Sequence, residues 1–168
     1  VEIISQQDIP KGLVSLVMGS GSTVGQKLTE STLVDAISFT GSVPVGKAIA
    51  ASAIQNLTRL QMEMGSKNAL AIMDDADLNL AVSLALGGAF GGSGQKCTAS
   101  SRLVVHQSVH DEFVEKLVLG TKAMKVGHAL EPETQMGPVV SEQQLVENFN
   151  YVDLAKSEGA ELLCGGVR

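Results

Sequence analysis

Short blocks of apolar and polar positions alternate along the first third of the chain, and their lengths and periods separate strands from helices. Pro10-Lys11-Gly12 signals a turn and opens an apolar run over 13–18, which has strand length and ends at Gly19-Ser20-Gly21. A short helix is expected over 23–29, where Val24 and Leu28 stand one turn apart. Residues 36–39 read as a strand and Thr40-Gly41-Ser42 as a loop. The segment 43–54 follows as a helix whose first turn accommodates Pro44. Residues 59–64 read as a further strand, stopped by Gly65. Strands and helices in strict succession predict a parallel α/β sheet.

The alternation continues downstream. Residues 69–73 form a short strand, Asp77 caps a helix beginning at Leu78, and 102–106 is strand-like. The apolar run 78–90, interrupted by Ser83, Gly87 and Gly88, is too short to span a membrane and fits a buried helix. Residues 111–124 give an amphipathic helix with Phe113, Val114, Leu117, Val118 and Met124 on one face. Ser141 and Gln144 make a capping box for a helix carrying Leu145, Phe149, Val152 and Ala155. Residues 160–164 close as a strand. There is no internal repeat and no low-complexity linker.

With 168 residues, 44% hydrophobic and 18% charged, the chain suits one sizeable globular domain or parts of two. Only 3% is aromatic, so the core must rest on Leu, Val, Ile, Ala and Met. A net charge of -6 without any Lys/Arg cluster argues against a nucleic-acid partner. Cys97 and Cys164 are too few for a disulfide framework and point to a reducing cytoplasm. The N-terminus lacks the basic-then-apolar pattern of a signal peptide. The chain starts without an initiator Met and stops just after an apolar run, so it reads as an internal piece of a longer protein.

Three places carry candidate chemistry. Cys97 stands in Gly91-Gly92-Ser93-Gly94-Gln95-Lys96-Cys97-Thr98. A nucleophilic thiol needs exposure, a cationic neighbour and backbone that lets substrate approach, and this loop offers each. The same position also fits a small residue at a tight turn. Cys164, inside Leu162-Leu163-Cys164, fits core packing. Glu63 ends a strand just before Gly65-Ser66-Lys67, where parallel α/β sheets place their ligands; a solvated strand end or a partner for Lys67 fits equally. Phe39-Thr40-Gly41-Ser42-Val43-Pro44-Val45-Gly46 runs from strand through turn into helix, which aims free amides at an anion. It lacks the dinucleotide and P-loop glycine patterns, so a plain strand-to-helix turn also fits. Asp74, Asp75 and Asp77 suit a helix start, and His106, His110 and His128 lack zinc-ligand spacing, so no metal is expected.

Taken together, Phe39-Thr40-Gly41-Ser42, Met62-Glu63-Met64-Gly65-Ser66-Lys67-Asn68 and Gly94-Gln95-Lys96-Cys97 resemble the aldehyde dehydrogenase superfamily. Glu63 and Cys97 lie 34 positions apart, which also suits that family. The resemblance covers essentially the whole chain. It departs from the common form at Ser66, where Gly is usual, and at Ala69, where Pro is usual. Within the superfamily these segments look like the α-ketoglutaric semialdehyde (2,5-dioxopentanoate) dehydrogenases.

The resemblance implies an α/β fold in two portions. Residues 1–62 would be the latter part of a Rossmann-like cofactor domain, and 63–168 the start of the catalytic domain. It implies Cys97 as nucleophile and Glu63 as general base. NAD or NADP would be held by Gly41, Ser42, Gly46 and Met64, with no metal, and Lys67 would support the site. The substrate would be a small aldehyde, and the full-length parent a homodimer or homotetramer. The oxyanion-hole Asn and the ribose-binding residues would lie outside this stretch, so the isolated piece is expected to be inactive. The alternatives are a thiol acyltransferase or CoA-acylating semialdehyde dehydrogenase, another non-acylating member such as a succinate-semialdehyde dehydrogenase, and a relative that keeps only the fold. Glu63 argues for hydrolysis and against the acylating enzymes, and having both Glu63 and Cys97 argues against the fold-only relative.

Overall fold

Two parallel strand pairs, each joined through a helix, organise residues 2–168, the part of the chain that the computed structural model describes. They belong to separate units, Val1–Gly65 and Ser66–Arg168.

In the first unit a short helix α1 (Glu2–Ser5) and an irregular stretch precede a π-turn (Gly21–Gly25) that runs into α2 (Gln26–Glu30). Strand β1 (Ala36–Gly41), helix α3 (Val43–Ala53) and strand β2 (Arg59–Met64) follow. The strands pair in parallel from Ala36↔Arg59 to Gly41↔Met64. A parallel neighbour is reached only by a crossover, and α3 supplies it. Gly46 and Ala53 of α3 are buried, while Ile37 and Phe39 of β1 are half-buried. Two hydroxyls fasten the ends: Ser52 Oγ donates to Thr29 O at 3.1 Å, and Thr58 Oγ1 to Val34 O at 3.1 Å.

The strand expected over 13–18 is not formed. Leu13, Leu16, Val17 and Met18 are exposed, and no ladder partner lies beside them among the described residues. An apolar run states a demand for burial, but it becomes a strand only beside a chain whose N–H and C=O groups it can pair with. The strand expected over 160–164 is absent for the same reason. Cys164, expected in core packing, is only half-buried there.

The second unit repeats the strand–helix–strand pattern with β3 (Asn68–Ile72), α4 (Leu78–Phe90) and β4 (Ser100–Val105). β3 and β4 pair in parallel, with a register shift between Asn68 and Ala69. Helix α5 (His110–Ala123) packs on α4, and α6 (Glu142–Ser157) comes last. Ile72 of β3, Val82 and Ala85 of α4 and Phe113 of α5 form the buried core. The two helices approach closely at Gly120, where a Cβ would stand 2.7 Å from Leu86 Cδ1.

Two helix starts follow the sequence reading, one of them only in part. Asp77 accepts from the Asn79 and Leu80 amides at 2.9 and 3.1 Å, capping α4. Ser141 Oγ accepts from the Gln144 amide at 3.2 Å, but the Gln144 side chain donates to Asn148 at 2.9 Å instead of turning back. The reciprocal half of the capping box is therefore missing, because an i,i+4 partner on the same helix face competes for the side chain. Helix α4 spans the expected apolar run but is not buried all round: Leu80 and Leu84 are each 57% exposed. No described helix is long and apolar enough to cross a membrane.

Candidate active site

In the first unit, register does the assembling. Parallel pairing sets Thr40 opposite Glu63 and Gly41 opposite Met64 at the C-terminal ends of β1 and β2. Neighbouring strands run about 4.8 Å apart, so these residues share one sheet edge. Glu63 is exposed there and has no ion-pair partner within its unit. Side chains alternate along a strand, so half-buried Met62 and exposed Glu63 point to opposite faces.

Ser42 follows directly as the N-cap of α3, with extended backbone (φ -78°, ψ 151°) and a hydroxyl that caps nothing. Gly46 N donates the helix's first bond, to Ser42 O at 2.9 Å. The amides ahead of it have no partner inside the helix, and Pro44 contributes none. The exposed Val43 and Val45 amides and the free Ser42 hydroxyl thus form an open helix N-terminus, the arrangement that receives phosphate groups. On this ground the residues present fit a dinucleotide's pyrophosphate.

The glycines of this segment have packing reasons that the sequence did not reveal. A Cβ on Gly41 would lie 2.5 Å from Phe39 Cζ, because the Phe39 ring folds over it. A Cβ on Gly46 would lie 2.5 Å from Met64 Sδ and 3.5 Å from Phe39 Cε1. Phe39 is therefore the wedge that holds the strand end and the helix start together. The i, i+2 spacing of Phe39 and Gly41 on one strand face was the available signal.

The thiol belongs to the second unit. After α4 the chain passes through three consecutive left-handed residues, Gly92 (φ 63°), Ser93 (φ 59°) and Gly94 (φ 70°). Two are glycines, as this backbone favours, and Ser93 bears the strain alone. Its Oγ donates to Gly137 O at 2.8 Å and Pro138 O at 3.4 Å, which anchors the loop. Lys96, Cys97, Thr98 and Ala99 then form a β-turn closed by Ala99 N to Lys96 O at 3.1 Å. Cys97 is exposed at its second position. Asn68 at the start of β3 donates its amide to Cys97 O at 2.8 Å and to Ala99 O at 3.3 Å. Ser93 and Asn68 had no assigned role in the sequence, since the partners they reach are distant in the chain. Lys67 is exposed.

The remaining titratable groups do not converge. His106 Nδ1 meets Ser108 Oγ at 2.8 Å and His110 Nδ1 meets Asp111 Oδ1 at 2.8 Å, both local contacts. Among the described residues no group of three or more His, Cys, Asp or Glu side chains could hold a metal ion.

A sequence model of the aldehyde dehydrogenase family matches residues 1–168. The α-ketoglutaric semialdehyde dehydrogenase of Bacillus subtilis is 42% identical over 168 residues, covering 100% of this chain and 34% of that protein. The 2,5-dioxopentanoate dehydrogenase of Saccharolobus solfataricus is 42% identical over 168 residues, 99% of this chain and 35% of its own length. Among solved structures, a betaine aldehyde dehydrogenase from Staphylococcus aureus in complex with NAD+ superposes with a TM-score of 0.97 at 40% identity. It covers 99% of this chain, which covers 33% of it. The chain thus spans about a third of the length of the curated relatives it matches.

Proposed function

Because the chain belongs to the aldehyde dehydrogenase family, we propose that the protein carrying it oxidises an aldehyde to a carboxylate through a thioester on Cys97. The substrate we assign is α-ketoglutaric semialdehyde, with NAD or NADP as the oxidant. The observation that carries the reading is the shared strand edge of the first unit. There Gly41, Ser42, Glu63 and Met64 stand together beside an open helix N-terminus. The support for the semialdehyde is the likeness of the segments around Glu63 and Cys97 to dehydrogenases of that substrate, since overall identity is much the same, 40–43%, for relatives named for betaine aldehyde and 10-formyltetrahydrofolate.

In this scheme the Cys97 thiolate attacks the aldehyde carbon, and the Cys97 backbone amide donates to the resulting oxyanion. When bound, the nicotinamide supplies the acceptor for the hydride that leaves that carbon. Glu63 takes a proton from water, the water oxygen attacks the thioester carbonyl, and the C–S bond breaks to release the Cys97 thiolate and a carboxylic acid, which gives its proton to solvent to become the carboxylate. Ser42 and the first amides of α3 would hold the pyrophosphate, Gly46 lets Met64 lie close over the helix, and the Met64 backbone would lie against the nicotinamide. Lys67 supports the site.

Residues 1–62 then form the latter part of a cofactor domain and 63–168 the beginning of the catalytic domain. The full-length protein is a cytoplasmic homodimer or homotetramer, and this stretch alone does not turn over.

The test is cofactor reduction by the full-length protein with a panel of semialdehydes and both nicotinamide cofactors, beside Cys97→Ala. Preference for α-ketoglutaric semialdehyde, abolished in the variant, is the expected result. Preference for another aldehyde would overturn the substrate, and cysteine-independent or absent turnover would overturn the chemistry.

A further inference from the structure

We infer that Asn68 is a positioning residue for Cys97. Its side-chain amide holds the peptide plane that follows the thiol's Cα and, together with the turn's own hydrogen bond on the preceding plane, sets the direction in which Cβ carries the thiol. The inference rests on the reading of Cys97 as nucleophile.

Two peptide planes meet at Cys97 Cα, and their orientations are its φ and ψ. The Lys96–Cys97 plane carries the Cys97 N–H, and its carbonyl is held by Ala99 N at 3.1 Å across the turn. The Cys97–Thr98 plane has its carbonyl held by Asn68 Nδ2 at 2.8 Å. With both planes fixed, the Cβ direction has no remaining backbone freedom. The second contact of Nδ2, to Ala99 O at 3.3 Å, ties the far end of the turn to the same anchor. Without Asn68 the turn would rest on one hydrogen bond, from half-buried Ala99 to exposed Lys96, next to three left-handed positions.

The fold prepares Asn68 for this. It is half-buried at the first position of β3, and its own carbonyl accepts from Ser101 Oγ at 3.5 Å. The register shift sets Asn68 against Ser100 but Ala69 against Arg102, leaving Ser101 as an extra residue on β4. A bulge of this kind re-aims the neighbouring side chain. Here the amide reaches the turn that immediately precedes β4. A carboxylate in the same place would face two carbonyl oxygens with no proton to donate.

The experiment compares Asn68→Asp and Asn68→Ala with wild type in the full-length protein, with active sites counted by stoichiometric alkylation of Cys97. Two quantities are read: the kcat and KM split, and amide exchange over 95–100. Misplacing a nucleophile by about 1 Å costs on the order of 100-fold, so kcat per titrated site should fall about 10- to 100-fold. KM for the nicotinamide cofactor should stay within about twofold, because Gly41, Ser42 and Gly46 belong to the other unit. Exchange at Ala99 should quicken at least about tenfold while β3 and β4 keep their protection. A kcat per site within about threefold of wild type, or unchanged exchange in the turn, would overturn the inference. A loss explained wholly by fewer titratable sites would do the same. Should the wild-type protein oxidise no aldehyde, the function reading fails, while the exchange measurement still decides whether Asn68 holds the turn.

Discussion

Gly46 is where helix propensity and packing pull in opposite directions, and the structure says which wins. In Gly46→Ala the new methyl gains helix propensity worth about 0.8 kcal/mol, somewhat less this close to the helix start. Against that, its carbon would stand 2.5 Å from Met64 Sδ, where an ordinary contact needs at least about 3.5 Å. The thioether must therefore retreat by about 1 Å. Met64 is flexible and 36% exposed, so the cost belongs near the lower half of the usual overpacking range of about 1–3 kcal/mol. The expected net effect is a destabilisation of roughly 1 kcal/mol. In a Met64→Ala background the obstacle is gone and Phe39 Cε1, at 3.5 Å, is an ordinary contact, so the same substitution should stabilise. Native-state amide exchange over α3 and β2, followed through a urea series, reads these local free energies in all four proteins. A change of sign, with a coupling of about 1–2 kcal/mol, is the expected outcome. If the two substitutions add within about 0.4 kcal/mol, Met64 does not pack on Gly46 and the argument is wrong.

Glu63→Gln should lower steady-state turnover about 100- to 10,000-fold while leaving one burst equivalent of reduced cofactor per thiol, as stopped-flow absorbance would show. Disappearance of the burst as well would put Glu63 before the thioester rather than after it. Asp77→Ala removes the acceptor for the Asn79 and Leu80 amides and should weaken the start of α4 by about 1 kcal/mol, seen as faster exchange confined to that turn. Faster exchange throughout β3 and β4 would mean that the cap supports the whole unit.

Much of the fold was legible because its signals are local. Pro44 in a first helical turn and Asp77 before an apolar run each act over a few residues, and each marks an element that formed, whereas Thr40 and Gly41, read as loop, extend β1 because β2 pairs with them up to Met64. The failures share a cause as well. The runs over 13–18 and 160–164 have the composition of strands but no neighbour to pair with, and pairing is not a local property. Helix α4 shows the same limit in burial. Apart from Asn79 and Ser83 its residues are apolar or glycine, and only the packing of β3, β4 and α5 determines that Val82 and Ala85 are covered while Leu80 and Leu84 are not.

The candidate site divides along the same line. Residue identity alone set out a thiol in a glycine-rich loop, a carboxylate at a strand end and a strand-turn-helix, because these depend on side-chain chemistry and short spacing. Only the tertiary structure decided why Gly41 and Gly46 carry no side chain: the Phe39 ring and the Met64 thioether occupy that space. Parallel register decided that Glu63 stands opposite Thr40, and a one-residue shift would have turned it to the other face. The Asn68 amide and the Cys97 carbonyl, 29 positions apart, meet because β3 and β4 pair with a bulge beside them. A sequence fixes what each residue can donate, accept or bury, whereas the pairing of distant backbone determines which of those capacities are used together.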